Sequence, residues 1–422
     1  MRILVLGSGA REHAIITALL AERADHVITC APGNAGIAAD VETVSLDPSN
    51  GALVAEYAIE NGIELVVVGP EAPLIAGVAD AVRTRGIAVF GPSRAAAQLE
   101  GSKAFAKRIM QEAAVPTGRP VSAASLAEAE SALDELGAPY VVKADGLAAG
   151  KGVLVTEDRG AAVEHARYWL QHGPVVVEEF LDGEEVSLFF LSDGHDVLPL
   201  SPAQDYKRLS DGDVGPNTGG MGAYSPLPWL ADRWESEREF VAEVTDLVAL
   251  PTIRRLEHEG TPFVGLLYCG LIVTEQGVRV IEFNARFGDP ETQVVLPRLV
   301  TPLSELLYAA STGTLGERPL PEFHPHAGVT VVLASAGYPE DPITGRRLTG
   351  VDDAAAVDGV SVLHAATALL DGELVATGGR VLSVSAVGDD FRQARDRAYD
   401  GLGRIGLEGG QFRTDIARKV VR

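Results

Sequence analysis

Tyr140-Val-Val-Lys143-Ala-Asp-Gly146-Leu-Ala-Ala-Gly150-Lys151-Gly152-Val-Leu-Val-Thr156 sets two short β-branched runs on either side of a glycine-rich loop. A phosphate-binding P-loop keeps four residues between its first glycine and the Gly-Lys pair, follows them with Ser or Thr, and opens a helix. Here the spacing is one residue short, Gly152 stands at the hydroxyl position, and a second strand follows. The segment therefore reads as a hairpin whose loop carries Lys151, behind a strand carrying Lys143. Glycine hinges with cationic heads suit a flap that folds over phosphates; a loose hairpin with solvated lysines is the alternative.

Upstream, residues 3–6, 27–30, 65–68 and 88–90 read as strands, and Ala-rich segments such as 13–20 and 53–59 have helical spacing. That alternation builds a doubly wound parallel sheet with its functional loops at the strand C-termini. A helix over 103–113 leads to the Pro116–Pro120 breaker. The hairpin, a helix near 161–171 and strands at 175–180 and 186–191 make a small α+β module of about 70 residues, within the size range of a domain. Residues 201–228 lack the periodicity of regular structure, and 235–258 read as helical, with strands at 264–273 and 278–284. Fresh strands at 328–334, 361–363 and 380–386 and a helix at 390–405 mark a C-terminal α+β domain. The expected fold class is multi-domain α/β and α+β. Its parts are an N-terminal Rossmann-like domain (1–101), a central domain (102–326) with a small mobile lid at about 121–191, and a C-terminal domain (327–422).

The chain of 422 residues, 46% of them apolar and 22% charged, is long enough for two or three domains with their own cores, and wholesale disorder is excluded. No apolar run approaches the roughly 20 residues that span a bilayer. MRILVLGSGAREH opens as a strand rather than a signal peptide. Two cysteines, Cys30 and Cys269, exclude a disulfide framework and point to a reducing cytoplasm. With 35 basic against 59 acidic residues, a net charge of −24, neither nucleic acid nor an anionic membrane is expected as a partner. A phosphate-bearing ligand then needs a local island of positive charge. Only six basic residues are lysines, and five lie between Lys103 and Lys207. Either an Arg-biased composition clusters them by chance, or lysine is kept where a compact, flexible charge is needed.

The Gly7-Ser-Gly9-Ala-Arg11-Glu12 turn fails as a dinucleotide fingerprint, because Glu12 replaces the third glycine and no acid follows the second strand. It remains able to present helix N-terminal amides to another anion. Glu178-Glu179-Phe180-Leu181 with Glu184-Glu185 is either a solvated edge or a frame for a purine and its ribose. In Val280-Ile281-Glu282-Phe283-Asn284-Ala285-Arg286-Phe287, period-2 alternation places Ile281, Phe283 and Ala285 on one face and Glu282, Asn284 and Arg286 on the other. Two such oxygen donors can share a hard divalent cation with phosphate oxygens, and Arg286 suits charge developing on a transferring phosphoryl group. An amphipathic strand explains the alternation alone, but not the Gly288-Asp289-Pro290-Glu291-Thr292 turn that follows. His324 and His326 are better explained as linker residues than as metal ligands.

Lys103, Lys143 before GLAAGKG, EEFLDGEE, GPNTGGMGAYSP and IEFNARFGDPETQ stand in the order and spacing of the ATP-grasp family of phosphoribosylamine–glycine ligases (glycinamide ribonucleotide synthetases). APGNAG at 31–36, VGPEAPL at 68–74, EGSKAF at 100–105, AGYP at 336–339 and GGRVL at 378–382 extend the resemblance over the full chain. The resemblance implies a central ATP-grasp domain and a cytoplasmic enzyme of purine biosynthesis, here expected as a monomer. Its substrates would be ATP, glycine and 5-phosphoribosylamine, its cofactor Mg²⁺ or Mn²⁺, and its course would run through glycyl phosphate.

Carried over by motif, Lys103, Lys143 and Lys151 would contact ATP phosphates, with Gly150 and Gly152 supplying flap backbone. Glu178, Glu179 and Leu181 would frame the adenine and Glu185 the ribose; Glu282 and Asn284 would hold the metal. Arg286 and Lys151 would be catalytic, and Gly9, Glu71, Asp205, Lys207, Gly219, Gly220 and Asp289 would bind the other substrates. Two positions depart from the family pattern. Its Asp-His-Lys-Arg run is Asp205-Tyr206-Lys207-Arg208, and the strand Leu267-Tyr-Cys-Gly-Leu271 lacks the metal-binding Glu of many relatives. The rival readings are another carboxylate–amine ligase of this superfamily, an NAD-dependent oxidoreductase and a nucleotide-binding regulator without turnover.

Overall fold

The four-residue run Leu65–Val68 is wholly buried, as a strand covered on both faces must be. It lies between Arg2–Gly7 and Ala88–Phe90 in a parallel sheet of order Glu42–Thr43, Val27–Pro32, Arg2–Gly7, Leu65–Val68, Ala88–Phe90. The computed structural model describes residues 1–147 and 152–421. Helices Ala10–Ala21 and Gly51–Glu60 follow their strands, giving the doubly wound arrangement expected. The strand C-termini point Arg11, Pro70 and Glu71 at one cleft.

Two further sheets face that cleft. The smaller, in the order Pro120–Ala123, Val175–Glu178, Tyr140–Ala144, Val153–Thr156, carries the expected hairpin. Helices Leu126–Leu136 and Arg159–Trp169 close it through a separate apolar core of Ala129, Leu133, Val142, Ala162 and Val177. Asp145, just past the hairpin's first strand, accepts from Ala104 N and Ser102 Oγ (3.2 and 3.3 Å) at the start of helix Lys103–Glu112. A carboxylate there satisfies amides that would otherwise lack partners and complements the helix dipole.

The expectation that the strand at 186–191 completes the small module is overturned. Glu184–Asp193 pairs along its whole length with Val264–Thr274 in a second sheet of order Val197–Pro199, Glu184–Asp193, Val264–Thr274, Gly277–Asn284. Its all-apolar centre is covered by other elements on both sides, which the module's one-sided sheet would not require. Residues 201–228 are also more regular than expected. Gln204–Asp205 and Gly222–Ser225 join Ala327–Ala334, Arg380–Gly388 and Val360–His364 in the C-terminal sheet, against which helix Phe391–Gly403 packs. Among the described residues no helix is long and apolar enough to cross a membrane.

The C-terminal sheet docks onto the N-terminal domain through a buried polar contact. His364 N donates to His13 Nδ1 (2.9 Å), which leaves His13 Nε2 to carry the proton facing Asp40 Oδ2 (2.8 Å). Leu363 packs on Ala10 and Ala14 beside it. Burial, with His13 adjacent, pushes the His364 imidazole down to about 4 from 6.5. A histidine depressed by folding binds its proton more readily in the unfolded chain, so its stabilising effect is complete above about 6.5 and fades as pH falls toward 4. The melting temperature is therefore expected to drop across pH 6.5 to 4, and more shallowly in His364→Gln. An identical pH slope in the variant would show that this contact does not govern acid sensitivity.

Candidate active site

The cleft has two compartments. The first, about 550 Å³, runs from Arg11 and Glu71 past Lys103, Lys143 and Glu282 to Tyr338 and Arg380 of the C-terminal sheet region. The second, about 590 Å³, lies between Val141, Val153 and Val155 of the hairpin and Ile272 of the facing sheet, and it holds Glu179, Leu181 and Glu185. Lys143, Glu178, Asp205, Lys207 and Glu282 line both. Among the described residues, seven carboxylates and seven cations line the first compartment, so their charges balance in a chain of net charge −24. The cations expected for a phosphate ligand are gathered here, but each is matched by a carboxylate, so the site is a neutral pocket in an acidic chain rather than a positive island.

The lysines are held by their surroundings. Glu178 Oε2 receives both Lys143 Nζ (3.0 Å) and Lys107 Nζ (2.9 Å), while Glu178 Oε1 is buried without a partner among the described residues. Burial alone would push the Glu178 carboxyl up, but the two ammonium groups overcome it and hold it below the usual range. Lys107 also donates to Thr117 Oγ1 (2.7 Å), and Lys103 to Gly146 O (3.0 Å) at the foot of the hairpin loop. Burial pulls both Lys103 and Lys107 below their ordinary values.

The strand Gly277–Asn284 departs from simple alternation. Leu271 pairs with Val280 but Gly270 with Glu282, so Ile281 is an extra residue, a β-bulge. Val278 and Val280 are buried before it, and Phe283, Ala285 and Phe287 after it. Ile281 thus does not share the apolar face of Phe283 and Ala285; it lines the cleft, and its carbonyl accepts from Lys143 Nζ (3.2 Å). Beyond the bulge Glu282, Asn284 and Arg286 all line the first compartment.

Glu282 and Asn284 offer two hard oxygen donors there. Among the described residues no group of three or more His, Cys, Asp or Glu could hold a metal ion unaided. A divalent cation at this pair therefore fits only with ligand oxygens completing its shell, as magnesium on a nucleotide does. Across the ladder from Glu282 stands Gly270, where a Cβ would lie 3.2 Å from Glu282 Cγ. Arg286 is gripped by Glu71 Oε2 and Glu100 Oε1, each at 3.2 Å, and Glu100 also accepts from Ala285 N (2.8 Å). Burial would lower the Arg286 value, but Glu100 and Glu71 raise it, so its charge is permanent.

The expected substrate residues separate into two groups. Glu71, Asp205, Lys207, Gly219 and Asp289 line the first compartment. Burial pushes the Asp205 carboxyl up to about 7 against the pull of Lys207, which itself pairs with Glu185. Gly9 and Gly220 line neither compartment. The Gly9 amide is taken by Glu12 Oε2 (2.6 Å), and Gly220, at φ +107°, lies directly under Pro290. Glu12 is 1% exposed, is also bonded to Arg11 Nε (2.5 Å), and sits where side chains at Gly7 and Gly69 would collide with it. A buried carboxylate over that turn repels a pyrophosphate, which removes the oxidoreductase reading. Gly150 and Lys151 lie outside the described residues; Gly152 lines the first compartment.

Tyr206 lines the second compartment but not the first, and its side chain is tied to the C-terminal segment. Its ring lies 4.7 Å from the guanidinium of the fully buried Arg413, and its hydroxyl accepts from Ala417 N (3.0 Å). Sequence reasoning gave no role to Lys107, Glu100, Arg11, Tyr338 or Arg380, all of which line the first compartment. Lys107 had a readable signal, a second lysine one turn after Lys103 in a lysine-poor chain.

The family model for the phosphoribosylglycinamide synthetase N domain matches residues 1–100, that for the ATP-grasp (A) domain 101–292, and that for the C domain 328–419. The chain is 72% identical over 423 residues to the phosphoribosylamine–glycine ligase of Leifsonia xyli, covering all of both chains. To that of Streptomyces coelicolor it is 57% identical, covering 100% of this chain and 99% of the relative. The crystal structure of phosphoribosylamine–glycine ligase from Thermotoga maritima superposes with a TM-score of 0.83 at 32% identity, covering 98% of this chain and 100% of that one. With a cleft built between two facing sheets and matches across all three domains, the chain belongs to the phosphoribosylglycinamide synthetase family of ATP-grasp ligases.

Proposed function

We propose how this cleft carries out the activity of its family. The chain is a carbon–nitrogen ligase of purine biosynthesis, joining glycine to 5-phosphoribosylamine with ATP to give glycinamide ribonucleotide, ADP and phosphate. The adenosine occupies the second compartment, framed by Glu178, Glu179 and Leu181 with Glu185 at the ribose. Its phosphates run toward Lys103 and Lys143 in the first compartment, which Gly152 also lines, and the family motif assigns Gly150 and Lys151 to the same phosphates. Glu282 and Asn284 would hold Mg²⁺ or Mn²⁺, which would neutralise phosphate oxygens there. The two buried cysteines agree with a cytoplasmic setting.

Glycine's carboxylate attacks the γ-phosphorus, releasing ADP and leaving glycyl phosphate. Arg286, fixed by Glu71 and Glu100, faces the charge that develops on the transferred group, with Lys151 assigned to the same task. The ribosylamine nitrogen then attacks the acyl carbon and sheds a proton as phosphate departs. Glu71, Asp205, Lys207, Gly219 and Asp289 line the region where these two substrates meet, and Gly9 and Gly220, assigned to substrate binding by motif, only shape the turns beside it. Phosphoryl transfer of this kind rests on positioning and charge neutralisation, so no protein nucleophile is required. The observation that carries the reading is the convergence of Lys103, Lys143, Glu282, Asn284 and Arg286 on one compartment.

ADP release on mixing the enzyme with ATP, divalent cation, ribosylamine and one acid at a time tests the substrate assignment. Glycine is expected to support turnover; comparable rates with formate or bicarbonate and none with glycine would refute it. Glu282→Gln tests the metal placement. The fold should survive, with stability changed by about 0.5 kcal/mol or less. The kcat should fall roughly 100-fold or more, at least about 2.7 kcal/mol of barrier. A near-wild-type kcat at limiting Mg²⁺ would move the metal elsewhere.

A further inference from the structure

Two C-terminal motifs of the chain, Ala336-Gly-Tyr338-Pro339 and Gly378-Gly-Arg380-Val-Leu382, have no role in the chemistry described so far. They lie side by side. Ser335 N donates to Gly379 O and Ser335 Oγ to Gly378 O, both at 2.8 Å, and the Tyr338 ring occupies the space where a side chain at Gly379 would stand. From this base Tyr338 and Arg380 both reach into the first compartment.

What they touch there is specific. Arg380 Nη1 donates to the carbonyls of Gly219 and Asp289, the latter at 2.8 Å, and Nη2 to Asp289 Oδ2 (3.1 Å). Gly219 N donates to the Tyr338 hydroxyl (2.9 Å). Asp289 Oδ1 accepts from Gln293 Nε2 (2.7 Å), so both oxygens of this carboxylate are held. A side chain at Gly219 would press on the guanidinium, with its Cβ 3.0 Å from Arg380 Cζ.

We infer that Arg380 and Tyr338 form a clamp by which the C-terminal domain positions the Gly219 and Asp289 loops chiefly for the glycine and ribosylamine end of the cleft; of these loops only Asn217 and Thr218 reach the nucleotide compartment. The inference rests on the substrate assignment above. One planar guanidinium bridging two loops fixes their separation in a way a lysine ammonium does not. Arg380 and Tyr338 are thus positioning residues, acting through Gly219 and Asp289.

The test uses the full-length enzyme and the variants Arg380→Ala, Arg380→Lys, Tyr338→Phe and Gly219→Ala. Amide exchange measured without any substrate is expected to rise at 217–220 and 288–291 in Arg380→Ala, while other segments stay protected. Steady-state kinetics should show KM for glycine or ribosylamine up by about tenfold or more, the scale of losing a hydrogen bond to a charged group. KM for ATP should stay within about twofold, a change too small to count as a lost contact. Gly219→Ala, which displaces the guanidinium without removing it, should give the same pattern, and Arg380→Lys should rescue only in part. Unchanged loop exchange, or an equal rise of KM for all three substrates, would overturn the clamp. The exchange arm needs no turnover, so it judges the clamp even where the acid-selectivity assay contradicts the substrate assignment.

Discussion

A polyphosphate has to be bound by a chain whose net charge is −24, and that constraint organises the cleft. Cations must be gathered from separate elements into one place, where they repel each other as burial strips their water. The fold meets both difficulties by giving its buried cations carboxylate or backbone partners. Glu178 holds Lys107 and Lys143 on one oxygen, Glu71 and Glu100 hold Arg286, and Glu185 holds Lys207. Removing a single partner from such a set leaves an uncompensated buried charge, so these contacts fix geometry more than they add stability.

Two of these sets also join elements far apart in sequence. Lys107 on helix Lys103–Glu112 meets Glu178 at the end of the strand Val175–Glu178, and Arg286 meets Glu71 at the start of a helix in the N-terminal domain. The cleft is therefore assembled only when the N-terminal sheet, the small sheet and the large sheet are all in place. The bulge at Ile281 is the local device that makes this possible. It frees a carbonyl for Lys143 and shifts the strand's parity, so that Glu282, Asn284 and Arg286 follow on the open side.

Much of this was legible in the sequence because the signals were local. The strands Tyr140–Ala144 and Val153–Thr156 coincide with the two β-branched runs around the glycine loop, and Leu65–Val68 with an unbroken apolar run. Failures occurred where the deciding partner lies far along the chain. Gln204–Asp205 and Gly222–Ser225 are too short to show a period, and they exist because Ala327–Ala334 offers them an edge. Ile281 looks like one more member of an alternating run, since an extra residue in a bulge leaves no mark on composition. Glu184–Asp193 is apolar enough for either sheet, and only its partner decides. Arg380 sits in a recognisable motif, but nothing near it in sequence announces Gly219 and Asp289 as its contacts.

The central claim is that the cleft activates glycine's own carboxylate by phosphoryl transfer, with the protein supplying position and charge but no nucleophile. Ligation with glycine labelled in both carboxylate oxygens with oxygen-18 tests it directly. Attack on the γ-phosphorus moves one of those oxygens into the phosphate released in the second step. The account predicts one labelled oxygen in each inorganic phosphate and one retained in the glycinamide product. Unlabelled phosphate, formed at the same rate as product, would contradict it.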